Sequence, residues 1–151
     1  MTDLLGELRT LHIHADDVPF VDYQPGLELR YLQARPEESI SVVELRAAPG
    51  AMTGLHRHAA PVFGITTKGR WGHDTSYEYR PGSYIFETPG VVHRFMNGPE
   101  VSCAYFISTG AYEPIDPDTN EVVGAVTMGA GVAAYFEACE AAGHPRPNIL
   151  R

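Results

Sequence analysis

The chain carries little positive charge: 11 Lys and Arg stand against 19 Asp and Glu, a formal net charge of −8 over 151 residues. No basic run interrupts this balance, so nothing could neutralise a phosphate backbone, and nucleic acid is excluded as a partner. Cysteine is almost absent. Cys103 and Cys139 are too few for a disulfide framework and lack Cys-x-x-Cys spacing, which fits a reducing compartment. Cys103 lies in the apolar run 101–107 and is expected to pack in the core. No apolar stretch approaches the ~18 residues of a membrane span. The segment 1–11, with Asp3, Glu7 and Arg9, has neither the basic nor the apolar region of a signal peptide. These absences together predict a cytoplasmic protein with no membrane partner.

Turn-forming residues, by contrast, are plentiful, with 15 Gly and 12 Pro in a chain that is 44% hydrophobic and 10% aromatic. The length suits one domain over 1–151, with a β-rich core over about 27–127. Runs of β-branched and aromatic residues predict strands at 27–33, 40–47, 53–58, 62–67, 69–73, 76–80, 83–87, 92–97, 101–109 and 122–127. Turn signals such as Pro49-Gly50, Lys68-Gly69, Pro81-Gly82, Pro89-Gly90 and Asn97-Gly98-Pro99 separate them. In 40–47, Val43, Leu45 and Ala47 alternate with Val42, Glu44 and Arg46, as a half-buried strand should. Helix formers at about 131–142, with Gly143 as a C-cap and Pro145 beyond, predict a terminal helix. Its Val132, Tyr135, Phe136 and Cys139 share one face. A second, short helix is read at 3–11. Phe63, Trp71, Tyr84, Phe86, Phe95 and Tyr105 are expected mainly in the core, two or three of them lining a pocket.

Seven histidines are present. His56 and His58, two apart on a strand, point to the same face, and His93 from a later strand can complete the corner of a facial metal site. His12 and His14 repeat the spacing without a third partner and are read as exposed; His73, beside Asp74, is read as part of a surface turn. Arg57 and Arg94 follow the candidate ligands, point the other way by parity, and predict exterior ion pairs. Asp116, Asp118 and Asn120 resemble a calcium loop only superficially, since Pro117 intervenes and Glu121 takes the glycine place, so a hairpin turn is expected. Gly129-Ala130-Gly131 precedes a helix with no strand after it, which argues against a nucleotide fold.

Glycines frame the three histidines in a specific way. Gly50, His56, His58 and Gly69, then Gly82, Gly90, His93 and Asn97, fall at the spacings of the two cupin motifs, and the chain resembles that superfamily. The resemblance implies an all-β jelly-roll (double-stranded β-helix) barrel with a C-terminal helix outside it. Two positions depart from the motifs: Thr88 replaces a proline, with Pro89 next to it, and Val62 replaces the metal-binding glutamate. Three neutral imidazoles then leave the full charge on an ion, which favours an anionic bidentate ligand such as an enolate.

The order of the chain from 18 to 151 is also similar to 2,4'-dihydroxyacetophenone dioxygenases, and more distantly to diketone-cleaving, acetylacetone-type dioxygenases. The likeness is carried by 82–87 leading into His93, by 104–112 and 115–123, and by 135–151 with Cys139-Glu140 and His144-Pro145-Arg146-Pro147. It implies Fe(II), with zinc or nickel able to take its place, and O2-dependent cleavage of the carbon–carbon bond of a hydroxyketone or diketone into two acids. It also implies that Glu87, six residues before His93, lies near the iron as base for the hydroxyl or enol proton or as support for an imidazole. Strand parity alone does not bring Glu87 to His93, because the turn 88–90 intervenes. A zinc or nickel isomerase, cyclase or lyase, and a non-catalytic metal or ligand sensor, are the alternatives. Association into a homo-oligomer, dimer or tetramer, is expected from exposed sheet edges.

Overall fold

The computed structural model describes residues 10–151. The strands are β1 (Val21–Gln24), β2 (Leu27–Arg35), β3 (Ile40–Ala47), β4 (His56–His58), β5 (Val62–Lys68), β6 (Trp71–Gly72), β7 (Tyr84–Glu87), β8 (Met96–Asn97), β9 (Ser102–Ser108) and β10 (Tyr112–Pro114). One helix, α1 (Met128–Ala141), follows them. Six strands form an antiparallel sheet in the order β1-β2-β3-β9-β5-β7, faced by two small pairs, β10-β4 and β6-β8. This is the jelly roll that the resemblance implies, with its second layer broken into pieces, so the sheets do not close. No described helix is long and apolar enough to cross a membrane.

The broken layer is where strand prediction fails. The expected strands at 53–58, 69–73 and 92–97 shrink to two or three paired residues, that at 76–80 to one isolated bridge and that at 122–127 to two. Side chains interrupt the ladder: the Phe95 amide donates to the Thr53 hydroxyl at 2.9 Å, beside the backbone bond from Thr53 to the Phe95 carbonyl. Strands β1 and β10 escape prediction because Val21-Asp22-Tyr23-Gln24 is only four residues long and Tyr112-Glu113-Pro114 contains a proline. Pro114 is tolerated because it ends β10 and takes part there as an acceptor, its carbonyl receiving the Val123 amide.

Two apolar clusters fill the interior. Between the layers lie Leu27, Leu45, Val62, Ile85, Phe106 and a fully buried Trp71, which stacks on Phe95 at 4.4 Å and donates its indole N–H to the Thr66 hydroxyl at 2.8 Å. Under the helix, Val132, Tyr135 and Cys139 pack on Val18, Val21 and Tyr31, and the C-terminal tail closes the cluster through Ile149, whose carbonyl accepts from the Ala34 amide. Thr127 caps α1 and Gly143 ends it in a left-handed turn, three residues earlier at the start than the sequence suggested. Of the helix at 3–11, all but residues 10 and 11 lies outside the described residues.

Some expected core residues face outward. The registers Phe63↔Phe86 and Ile65↔Tyr84 put these side chains on the outer face of the six-stranded sheet, and Tyr84 and Phe86 are exposed. Cys103 shares that face, between Arg46 and Lys68, and is half-buried; burial pushes its thiol pKa up, which leaves it unreactive. Glu44, expected outside, is buried there by its ion pair with Arg30 at 3.1 Å, and Phe20 lies across the guanidinium groups of Arg30 and Arg46.

Two motif glycines separate the conformational and steric roles of the residue. Gly50 and Gly69 both have positive φ, but a β-carbon at Gly50 would meet nothing within 4 Å, whereas at Gly69 it would lie 2.3 Å from the Val101 carbonyl oxygen. Gly50→Ala should therefore cost about 1 kcal/mol, the left-handed strain alone, and Gly69→Ala about 3 kcal/mol, strain plus overpacking. Urea unfolding of the two variants checks this; equal losses would show that the close approach at Gly69 is not what requires glycine.

Candidate metal centre

The structure brings His56, His58 and His93 together. His56 and His58 share the inner face of β4, and His93 pairs with His56 through two backbone hydrogen bonds of 2.9 Å. One ring nitrogen from each lies within 4.8 Å of the others. The three rings are mutually inclined by 65 to 77°, so their in-plane lone pairs can converge on one point. His56 Nδ1 lies 2.8 Å from the Gly54 carbonyl and must donate to it, which leaves Nε2 bare for the cluster. His93 Nε2 is buried with no hydrogen-bond partner among the described residues. A buried, unpaired imidazole nitrogen costs free energy that an electrophile at this point would offset. The donor set therefore fits a divalent ion of the zinc, iron or nickel type.

Strand register explains how a carboxylate reaches the cluster without the motif glutamate. Val62 of β5, in the glutamate position, is paired directly with Glu87 of β7. Residues opposed across an antiparallel ladder share a face, so Glu87 projects from the neighbouring strand into the place that Val62 leaves apolar. Its Oε2 is 2.9 Å from His58 Nε2 and 3.6 Å from His93 Nε2. The intervening turn does not turn Glu87 away, as strand counting had allowed.

His73 belongs to this site, which corrects its reading as a surface residue. It follows β6 directly, stacks on His93 at 4.2 Å and 8°, and places Nε2 3.2 Å from Glu87 Oε1. Its Nδ1 lies 3.2 Å from the Tyr79 hydroxyl. The only sequence signal was its position in an inward-facing register with Trp71, two residues before it. His73, Glu87 and His93 also lie within 4.8 Å of one another, but two parallel rings 4.2 Å apart cannot aim in-plane lone pairs at one ion. The inclined trio is therefore the better ligand set.

Beside the histidines is a cavity of about 120 Å³, walled by Leu29, Val43, Leu45 and Phe106 and lined by neither Lys nor Arg. Tyr112 borders it, stacked on His56 at 4.3 Å. Of the six aromatics considered from sequence, Phe95 alone lines this cavity. Arg57 faces outward to Glu113 at 3.1 Å, as expected, while Arg94 makes no ion pair among the described residues. His12 and His14 are exposed, and Asp116 closes a turn by accepting from the amides of Asp118 and Thr119.

The layered β fold with histidines on its inner face defines a cupin. Residues 8–113 match the ChrR Cupin-like domain, and the chain belongs to that family. It is similar to an RmlC-like cupin protein from Ralstonia eutropha, at TM-score 0.84 and 18% identity over 98% of both chains. It is similar also to an acetylacetone dioxygenase from Acinetobacter johnsonii, at TM-score 0.70 and 21% identity over 86% of this chain and 92% of that one. The polyketide cyclase RemF from Streptomyces resistomycificus matches at TM-score 0.58 and 19% identity, over 78% and 84%. No curated protein sequence matches significantly. At these identities the structures share the fold.

Burial sets the protonation of the cluster. It lowers the pKa values of His56 and His93 from 6.5 to about 4, against the Gly54 carbonyl bond at His56 and the Glu87 charge at His93. Burial alone would raise the Glu87 carboxyl, but hydrogen bonds from His58 and His73 outweigh it and hold the group well below the usual carboxylate range. Between pH 6.5 and 4 the unfolded chain takes up protons on His56 and His93 that the folded chain refuses, so stability is lost as pH falls through that window. The Tm of metal-free protein should fall from pH 7 to pH 4, and less steeply in His93→Gln. A Tm independent of pH over that range would contradict these assignments.

Proposed function

We propose that the chain is a non-haem Fe(II) dioxygenase that uses one O2 to cleave a carbon–carbon bond of a small, neutral substrate, taking a 1,3-diketone to a carboxylic acid and a 2-oxoaldehyde or a hydroxyketone to two carboxylic acids. The observation that carries this reading is the unpaired His93 Nε2 in a converging trio of imidazoles, beside a cavity that an ionised carboxylate lines and that holds neither Lys nor Arg. His56, His58 and His93 would hold the metal, which when bound supplies the redox chemistry with O2. The likeness to an acetylacetone dioxygenase supports the reaction class, and the fold by itself does not decide it.

The residues of the chain do the rest. Glu87 lines the cavity and is placed to take the enol or hydroxyl proton of the substrate. Were His58 Nε2 to ligate the metal, its hydrogen bond to Glu87 would be given up, which would remove one of the contacts that lower the basicity of the carboxylate. Leu29, Val43, Leu45 and Phe106 exclude water and offer apolar contact. A cavity of 150 Å³ in another protein admits benzene. One of about 120 Å³ suits a short aliphatic diketone better than an aryl hydroxyketone such as 2,4'-dihydroxyacetophenone. The exposed Tyr84 and Phe86 on edge strand β7 offer apolar surface that a second copy would cover, which supports a homo-oligomer.

Oxygen uptake by protein loaded anaerobically with Fe(II), offered short 1,3-diketones and aryl hydroxyketones, tests this reading. Uptake should match acid formation mole for mole, favour the short diketones, vanish in His93→Ala and in zinc-loaded protein, and fall about 100-fold in kcat in Glu87→Gln. No uptake at full iron occupancy would refute the dioxygenase and favour an anaerobic zinc or nickel isomerase or cyclase. For the assembly, light scattering should give a dimer or tetramer mass; a monomer at micromolar concentration would exclude it.

A further inference from the structure

We propose that His73 holds Glu87 as a one-oxygen donor, tying Oε1 down so that only Oε2 faces the three-histidine cluster. This rests on reading His56, His58 and His93 as the metal ligands. Adjacent donors around a divalent ion at ~2.1 Å stand roughly 3 Å apart. Glu87 Oε2 is at that spacing from His58 Nε2, at 2.9 Å, whereas Oε1 is engaged 3.2 Å from His73 Nε2. With Oε1 held by an imidazole on another segment, the carboxylate cannot turn to present both oxygens to one ion.

The grip has a defined polarity. A carboxylate only accepts, so His73 Nε2 donates; in the neutral ring Nδ1 is then bare and accepts from the Tyr79 hydroxyl at 3.2 Å. Tyr79 thus fixes the tautomer that serves Glu87. The plane of the ring is fixed by stacking on His93 at 4.2 Å and by the perpendicular indole of Trp71 at 5.4 Å. Tyr79 is itself located by paired backbone hydrogen bonds with Trp71.

The consequence concerns coordination positions. Three histidines and a carboxylate chelating through both oxygens would leave one place of six, too few for a substrate binding through two oxygens. Confining Glu87 to Oε2 leaves two, and leaves three when Oε2 is withdrawn to act as a base. His73 is a positioning residue that keeps the site open at the expense of metal affinity. An ordinary supporting residue does the reverse: its removal weakens metal binding.

The sign of the change therefore decides the matter. Affinity for Co(II) by competition titration, and the visible absorption of the Co(II) protein, would be compared in wild type, His73→Phe and His73→Gln, each with and without Glu87→Gln. Phenylalanine keeps the stack on His93 and loses the hydrogen bond; glutamine keeps a donor. His73→Phe should bind Co(II) roughly tenfold more tightly, with the weaker absorption of a higher-coordinate ion. His73→Gln should return both to wild-type behaviour, and in the Glu87→Gln background His73→Phe should change neither. Unchanged or weaker binding in His73→Phe, or the same gain without Glu87, would overturn the proposal. If His73→Phe does not fold, Tyr79→Phe should shift affinity and spectrum in the same direction, and no shift would overturn the proposal. Failure of wild type itself to bind Co(II) would sink the metal-site reading and this inference with it, an outcome distinct from binding that is indifferent to His73.

Discussion

Two backbone hydrogen bonds between His56 and His93 fix the site, because they join the two motif segments at the one place where both carry an imidazole. Everything needed to hold that bridge in place is paid for elsewhere in the fold. β10 supports β4 from the other side, Thr53 and Phe95 are laced together by backbone and hydroxyl, and the Asn97 side chain donates to the carbonyls of Ala47, Ala48 and Glu100. The second layer has few regular ladder bonds, and these side-chain bonds replace them. A fragmented layer is thus compatible with a rigid centre.

The large sheet contributes in another way. Its β5–β7 register sets position 62 opposite position 87 although one lies in the first motif and the other in the second. A carboxylate lost from one strand is supplied from its neighbour, with a longer reach to His73 and His93. The same register sends Phe63, Ile65, Tyr84 and Phe86 outward, so the features that complete the site also create the apolar outer face. Electrostatics then favour an occupied site: His56 and His93, kept neutral by burial beside one ionised carboxylate, are donors that do not repel a cation.

Much of this was legible in the residues. The glycine-framed spacing of His56, His58 and His93 marked the centre, and the strands β2, β3, β5, β7 and β9 were readable from apolar runs between turn signals. The pieces of the second layer were harder, because segments such as 53–58 and 92–97 have strand composition but spend their hydrogen bonds on side chains. His73 was read as a turn residue because Asp74 follows it, and a polar neighbour says nothing of which way an imidazole points. Glu44 and Cys103 were misplaced for a related reason: whether an outer-face residue is covered depends on partners such as Arg30 and Phe20 from other segments.

The sequence by itself determined the local geometry: which residues turn, which alternate, and that two histidines two apart share a face, since each follows from backbone sterics and a period of two. It also determined the chemistry on offer, three imidazoles with glycines where the chain must bend. Only the tertiary structure decided which distant residues meet them. That His73 stacks on His93, that Glu87 stands opposite Val62, and that the cavity beside them has apolar walls are consequences of strand register and layer packing. These are set by the sum of many long-range contacts and by no short stretch of the chain.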